Sequence, residues 1–218
     1  MLPACRSYAP VDVTSVLPMK LDFPAFAFIM TLAAVINGMG IVRLLASFAE
    51  YLRRQSNLEI VHYWVFNLWI AFQFLLHILL WWSLWNTRAA EAFTFLHYLY
   101  LLSGPILLYL GASLFIPDID DHSMDMYKHF YNIRVPYFTV IVIFWLWVIF
   151  LFPILAGRFA PTIPVLVSFL AITITLRFTA NPKIHAAAAV SIWLLLIIFV
   201  AAFAMRLGAV AEVVNSGA

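Results

Sequence analysis

Charge is missing from most of this chain, and that absence decides what it can fold into. Six apolar stretches, each about as long as a bilayer is thick, fill most of the 218 residues. Only 10% of residues are Asp, Glu, Lys or Arg, 66% are hydrophobic, and mean hydropathy is +1.01. A soluble domain needs a charged surface, which this chain cannot supply. The sequence predicts an all-α polytopic membrane helix bundle with six transmembrane helices and a short interfacial helix. A β-barrel would alternate apolar and polar residues along each strand. Runs such as Val140 to Phe152 are instead continuously apolar.

Proline, glycine and polar residues mark the expected boundaries. A tail covers 1–23, the six-helix domain 24–206 and a polar tail 207–218. The expected spans are Pro24 to Arg54, His62 to Trp85, Ala92 to Ile116, Pro136 to Leu155, Thr162 to Leu176 and Ile184 to Met205. The first is longer than a bilayer requires, so Arg43 to Arg54 should extend through the headgroups. The fifth is short and should tilt little or sit where the bilayer thins. Between the third and fourth spans, 118–134 is the one substantial polar loop. Met124, Tyr127, Phe130 and Tyr131 recur there at helical spacing, as in a helix lying on the membrane surface. The N-terminal tail carries Arg6 but no apolar run, and Pro3, Pro10 and Pro18 interrupt it, so it reads poorly as a signal peptide. The first span is expected to target the chain and remain in the membrane.

Seven basic residues (Arg43, Arg53, Arg54, Lys128, Arg134, Arg177, Lys183) flank the links after spans one, three and five, against five on the other side. This predicts both termini outside the cell membrane. A net charge of +2 with no basic run excludes nucleic acid as a partner. The single cysteine, Cys5, excludes an internal disulfide and a thiolate metal cluster.

Polar residues within the spans are few, and each costs free energy unless satisfied. They are Asn37 in the first span, Asn67, Gln73 and His77 in the second, and His97 and Ser103 in the third. His77 and His97 lie equally far from the link at Thr87, which predicts similar depths. His97 shares a helical stripe with Gly104, Leu108 and Gly111, where another helix should approach closely. Three readings stand: imidazoles that glue helices together, a polar proton or ion path, and axial haem ligation by His77 and His97. Arg43, Lys128 and Arg134, with His129, are expected at the interface in contact with lipid. The aspartates Asp118, Asp120 and Asp121 lack the glycine and terminal glutamate of a calcium loop, so no metal site is expected.

Further absences narrow the chemistry. No Asp, Glu or Lys lies mid-span, which argues against carboxylate-driven coupling and a retinal Schiff base. HExxH, GxSxG and a nucleotide-binding glycine loop are missing. No catalytic chemistry is evident.

The run Gly40 to Arg54, His62-Tyr-Trp, Phe72-Gln73 and Trp81-Trp82-Ser-Leu-Trp85 resembles a widespread set of bacterial six-span integral membrane proteins without an assigned activity. So do Gly104 to Tyr109, Phe115-Ile-Pro-Asp118, Tyr127 to Tyr131 and Lys183-Ile-His185. The resemblance implies a bacterial inner-membrane protein and carries no mechanism. The expected function is a small oligomeric channel or transporter with its polar path in spans one to three. The alternatives are an accessory or scaffold subunit of a larger membrane complex and a haem-binding redox subunit.

Overall fold

The computed structural model describes residues 23–54, 59–89, 94–115 and 123–205. Six helices follow one another: α1 Phe23–Arg54, α2 Trp64–Leu84, α3 Phe95–Leu114, α4 Met126–Ala156, α5 Ile163–Phe178 and α6 Pro182–Phe199. All but α5 are long and apolar enough to cross a membrane. A 3₁₀ turn, Trp85–Ala89, extends α2, and a π-helical turn, Val200–Ala204, extends α6. The strands β1 Glu59–Val61 and β2 Ser123–Asp125 pair in parallel, with Ile60 opposite Met124. They tie the α1–α2 and α3–α4 connections together at what is here called the β end.

Side chains start and stop the helices where the backbone would otherwise lack partners. Thr94 accepts from the His97 N–H, Asp125 from the Lys128 N–H at 2.8 Å, and Asn181 from the Lys183 N–H at 3.0 Å. Gly157 ends α4 at φ 66°, a left-handed conformation that favours glycine.

The Asp125 cap changes one expectation. The helical spacing over 124–134 does not form a separate surface helix; from Met126 onward it is the first turns of α4, which runs on through Pro136. Proline inside a helix removes one hydrogen bond, and aromatic packing around it holds the axis. Phe130, Tyr137 and Phe138 are fully buried there, with Phe130 against Phe66 and Phe138 against Trp69. Residues 118–122 of the expected interfacial segment lie outside the described residues, as do 1–22 and 206–218.

Contacts between named residues fix the helix register. Gln73 bonds the Leu108 carbonyl and Phe66 packs on Phe115, so α2 and α3 are antiparallel. Asn37 bonds the His77 carbonyl and Tyr51 meets His62, which sets α1 antiparallel to α2. Trp145 stacks on Phe169 at 4.6 Å and Arg177 bonds Thr139, which sets α5 antiparallel to α4. All six helices contribute to one core, α1 through Phe26, Met30 and Ala33 and α6 through Ala189, Ile192 and Leu196. Toward the outside, α1 exposes Phe28, Val35, Met39 and Val42, and α6 exposes Leu194, Ile197 and Ile198.

Candidate functional site

Polar side chains from three helices meet a carbonyl of a fourth in one buried layer. Gln73 is wholly buried, and its Nε2 donates to the α3 carbonyl of Leu108 at 3.0 Å. That carbonyl can only accept, so the amide nitrogen must face it. The Gln73 Oε1 then accepts from the Tyr137 hydroxyl of α4 at 3.0 Å. One turn along α2, His77 is also wholly buried. Its Nδ1 lies 2.8 Å from the Gln73 carbonyl and must carry the hydrogen, which leaves Nε2 as a bare acceptor. Asn37 of α1, 3% exposed, donates through Nδ2 to the His77 carbonyl at 3.1 Å. Its Oδ1 and the His77 Nε2 have no hydrogen-bond partner.

Glycines make room for this layer. A Cβ added at Gly40 would collide with the His77 ring at Nε2 and Cδ2. One added at Gly111 would lie 3.1 Å from the Gln73 Nε2. A third seat holds α3 to α4: a Cβ at Gly104 would strike the Trp147 indole. There the Tyr100 hydroxyl donates to the Trp147 carbonyl at 2.8 Å, and the Trp147 Nε1 donates to the Tyr100 carbonyl at 2.7 Å. The two rings stack 5.9 Å apart. Arrangements of this kind bind helices in lipid, where close packing and interhelical hydrogen bonds replace the hydrophobic effect.

Of the residues singled out by sequence, Asn37, Gln73 and His77 are brought together and the others are not. Asn67 is on an exposed face of α2 near the β end. Ser103 is half-buried and bonds back to the Tyr100 carbonyl at 2.6 Å. His97 forms a capping box with Thr94 at the start of α3. The α2–α3 register brings His77 level with Gly104, seven residues or about 10 Å along the axis from His97. The expectation of equal depth fails because α3 starts at Phe95, so the turn is not centred on Thr87. The two imidazoles therefore do not converge as a pair of axial ligands would. Among the described residues no group of three His, Cys, Asp or Glu could hold a metal.

Of the interface cations, Arg43 and Lys128 are exposed and Arg134 is partly buried. The α1–α2 and α2–α4 registers place Arg43 at nearly the depth of Arg177, whose Nε donates to Thr139 at 2.8 Å. Sequence reasoning missed Tyr137, Tyr100 and Trp147. The available signal was a phenol or indole inside a span, since a buried O–H or N–H needs an acceptor. No family model, curated protein or solved structure matches the chain.

Proposed function

We propose that this chain is a six-crossing protein of the bacterial inner membrane, without catalytic chemistry, that serves as an accessory or scaffold body in a homo-oligomer or larger membrane complex. One observation carries the reading: His77, Gln73 and Trp147 each fill the gap left by a glycine on a neighbouring helix. A conduction path needs room beside its polar groups, whereas these groups close helix against helix. The thinly buried outer sides of α1 and α6 are where a partner or lipid would lie.

Helix direction supports the sixth crossing. His185 at the start of α6 lies beside Phe130 and Phe138 near the β end, while Phe199 shares an apolar pocket with Leu80, Leu84 and Leu151. α4 and α6 therefore run the same way, and α5 has to return between them. From Ile163 to Arg177 it covers about 22 Å, which a locally thinned bilayer accommodates. The positive-inside rule places the β end, with Arg53, Lys128, Arg134, Arg177 and Lys183, in the cytoplasm and both termini outside.

The test is native purification followed by reconstitution. We expect the protein to run as an oligomer or with a constant larger partner, and its liposomes to leak neither protons nor ions. A monomer without partner, or a flux abolished by Asn37→Ala, Gln73→Leu or His77→Ala, would overturn the reading. Such a flux would support the transport alternative, which the unpartnered acceptors His77 Nε2 and Asn37 Oδ1 favour.

A further inference from the structure

The apolar half of the bundle, away from the β end, is not packed solid. A cleft with a volume of about 60 Å³ opens between α2, α4, α5 and α6. Its wall reaches from Leu76 to Leu84 along α2 and from Phe144 to Leu151 along α4, about 10–12 Å of helix. Protein interiors seldom hold a void larger than a water molecule, because neighbouring side chains close over it. Here stacked rings resist that collapse. Trp145 lies flat on Phe169 at 4.6 Å and Phe144 on Trp147 at 5.9 Å, and all four rings belong to the wall.

The cleft is open on one side. Leu79, Ser83, Val148 and Phe199 are half-buried whereas the other wall residues are buried, so these four form its rim. Exposed side chains at the same levels of α2 and α4 are Ile78, Trp81, Leu146 and Phe150. The rim therefore faces an apolar medium. On the six-crossing reading, on which this placement rests, that medium is the hydrocarbon of the bilayer. Trp81, Trp82 and Trp85, beside Ser83 near the end of α2, then mark the outer interface.

Two observations identify the occupant. Apart from Ser83, the wall carries only aliphatic and aromatic side chains. An apolar cavity of about 150 Å³ takes up a benzene ring; the smaller volume here suits consecutive methylenes of a chain instead. The second observation is the Ser83 hydroxyl. Other span hydroxyls, among them Ser47, Ser103, Thr173 and Ser191, bond back to a carbonyl one turn earlier. Ser83 makes no such bond among the described residues, and it stands at the outer end of the cleft. Its O–H is left for an acceptor that arrives with the occupant.

We propose that this cleft seats one acyl chain of an outer-leaflet lipid. The ester carbonyl accepts from the Ser83 hydroxyl, and the chain runs inward past Leu80 toward Leu76. A hydrocarbon chain completes the packing that the rigid wall leaves open, and it enters sideways from the bilayer without crossing a polar barrier.

The test titrates the full chain, in mixed micelles, with a phosphatidylcholine carrying dibrominated stearoyl chains. Bromine quenches an indole at contact, so Trp145 and Trp147 in the wall report occupancy. Quenching should show a saturable part above the linear background from exposed tryptophans. The dialkyl ether analogue of the same lipid has no carbonyl and should bind about two- to tenfold more weakly, the worth of one hydrogen bond. Ser83→Ala should weaken ester binding by the same factor and abolish the ester–ether difference, whereas Ser191→Ala should change neither. Val148→Phe, which sets a ring at the rim, should remove the saturable part; if that variant misfolds, the ester–ether comparison still decides. Quenching that is linear throughout, a saturable part that survives Val148→Phe, or equal ester and ether affinities in the wild type would overturn the proposal. So would displacement of the chain by a tailless quinone, which would put a ring in the cleft. A saturable part seen only on dilution to the monomer would put a second copy there and overturn it as well. Leak and partner measurements do not enter these results, so this site and the scaffold reading can fail separately.

Discussion

Gly38 and Gly40 sit two residues apart on α1, yet replacing each with alanine should have opposite consequences. A Cβ at Gly38 meets nothing within 4 Å, so Gly38→Ala should be neutral or slightly stabilising. A Cβ at Gly40 lands on the His77 imidazole, which is wholly buried and held by its bond to the Gln73 carbonyl. The ring cannot swing aside without breaking that bond. Overpacking of this kind costs about 1–3 kcal/mol. If the ring yields, the lost bond leaves a buried N–H unsatisfied, at about 1–3 kcal/mol. Alanine gains about 1 kcal/mol of helix propensity over glycine, but the gain shrinks when the unfolded reference state is itself helical, as in dodecyl sulfate micelles. The net expectation for Gly40→Ala is a loss of about 1–3 kcal/mol. The assay is reversible unfolding from mixed micelles into dodecyl sulfate, read by tryptophan fluorescence. In a His77→Ala background the Gly40→Ala cost should vanish, because the colliding ring is gone. Equal stability of the two glycine variants, or a Gly40→Ala cost that persists without His77, would refute the packing argument.

Three further outcomes follow from named contacts. Tyr137→Phe leaves the Gln73 Oε1 buried without a donor and should cost about 1–3 kcal/mol in the same unfolding assay; in a Gln73→Leu background most of that loss should disappear. His97→Ala removes one member of the capping box and should cost about 1 kcal/mol, with no coupling to His77→Ala; a coupling above about 0.5 kcal/mol would restore the paired-histidine reading. Burial pushes the Tyr63 hydroxyl above the ordinary tyrosine range; its bond to Tyr131 pulls it down and Tyr127 raises it. The unfolded chain therefore loses this proton first, so the stability it contributes is intact below about pH 10 and is lost as pH rises through the folded value. The phenolate absorbance difference between wild type and Tyr63→Phe checks this, and ionisation at or below the ordinary range would contradict it.

The helical, membrane-spanning character was legible because apolar length and missing charge are properties of single segments. Burial of Asn37, Gln73 and His77 was legible for a related reason: a polar side chain deep in a span costs free energy unless it faces protein, whereas Asn67, near the β end of α2, is exposed. Their partners were not. Gln73 bonds a backbone carbonyl at Leu108, and a carbonyl leaves no mark in a sequence. The seven-residue spacing of Gly104 and Gly111 did signal close approach. The two glycines nevertheless receive different helices, Trp147 from α4 and Gln73 from α2. Depth was the harder quantity. Where α3 begins depends on the Thr94 cap rather than on the apolar pattern, and that cap separates His97 from His77.

Register has a further consequence for where polarity sits in the membrane. If Arg43 and Arg177 mark the hydrocarbon boundary near the β end, the boundary crosses α2 close to Ala71. Gln73 and His77 then lie only about 3–9 Å inside it, and the layer is asymmetric rather than central. Beyond it toward the opposite end, the facing side chains of α2, α4, α5 and α6 are mainly apolar, among them Leu76, Leu80, Phe144, Leu166 and Leu196. The polarity is concentrated where helices of the greatest number of origins converge, with Asn37, Gln73, Leu108 and Tyr137 coming from four of them. That distribution is what a junction requires, since a hydrogen bond in lipid fixes orientation where apolar packing alone would let one helix slide along another.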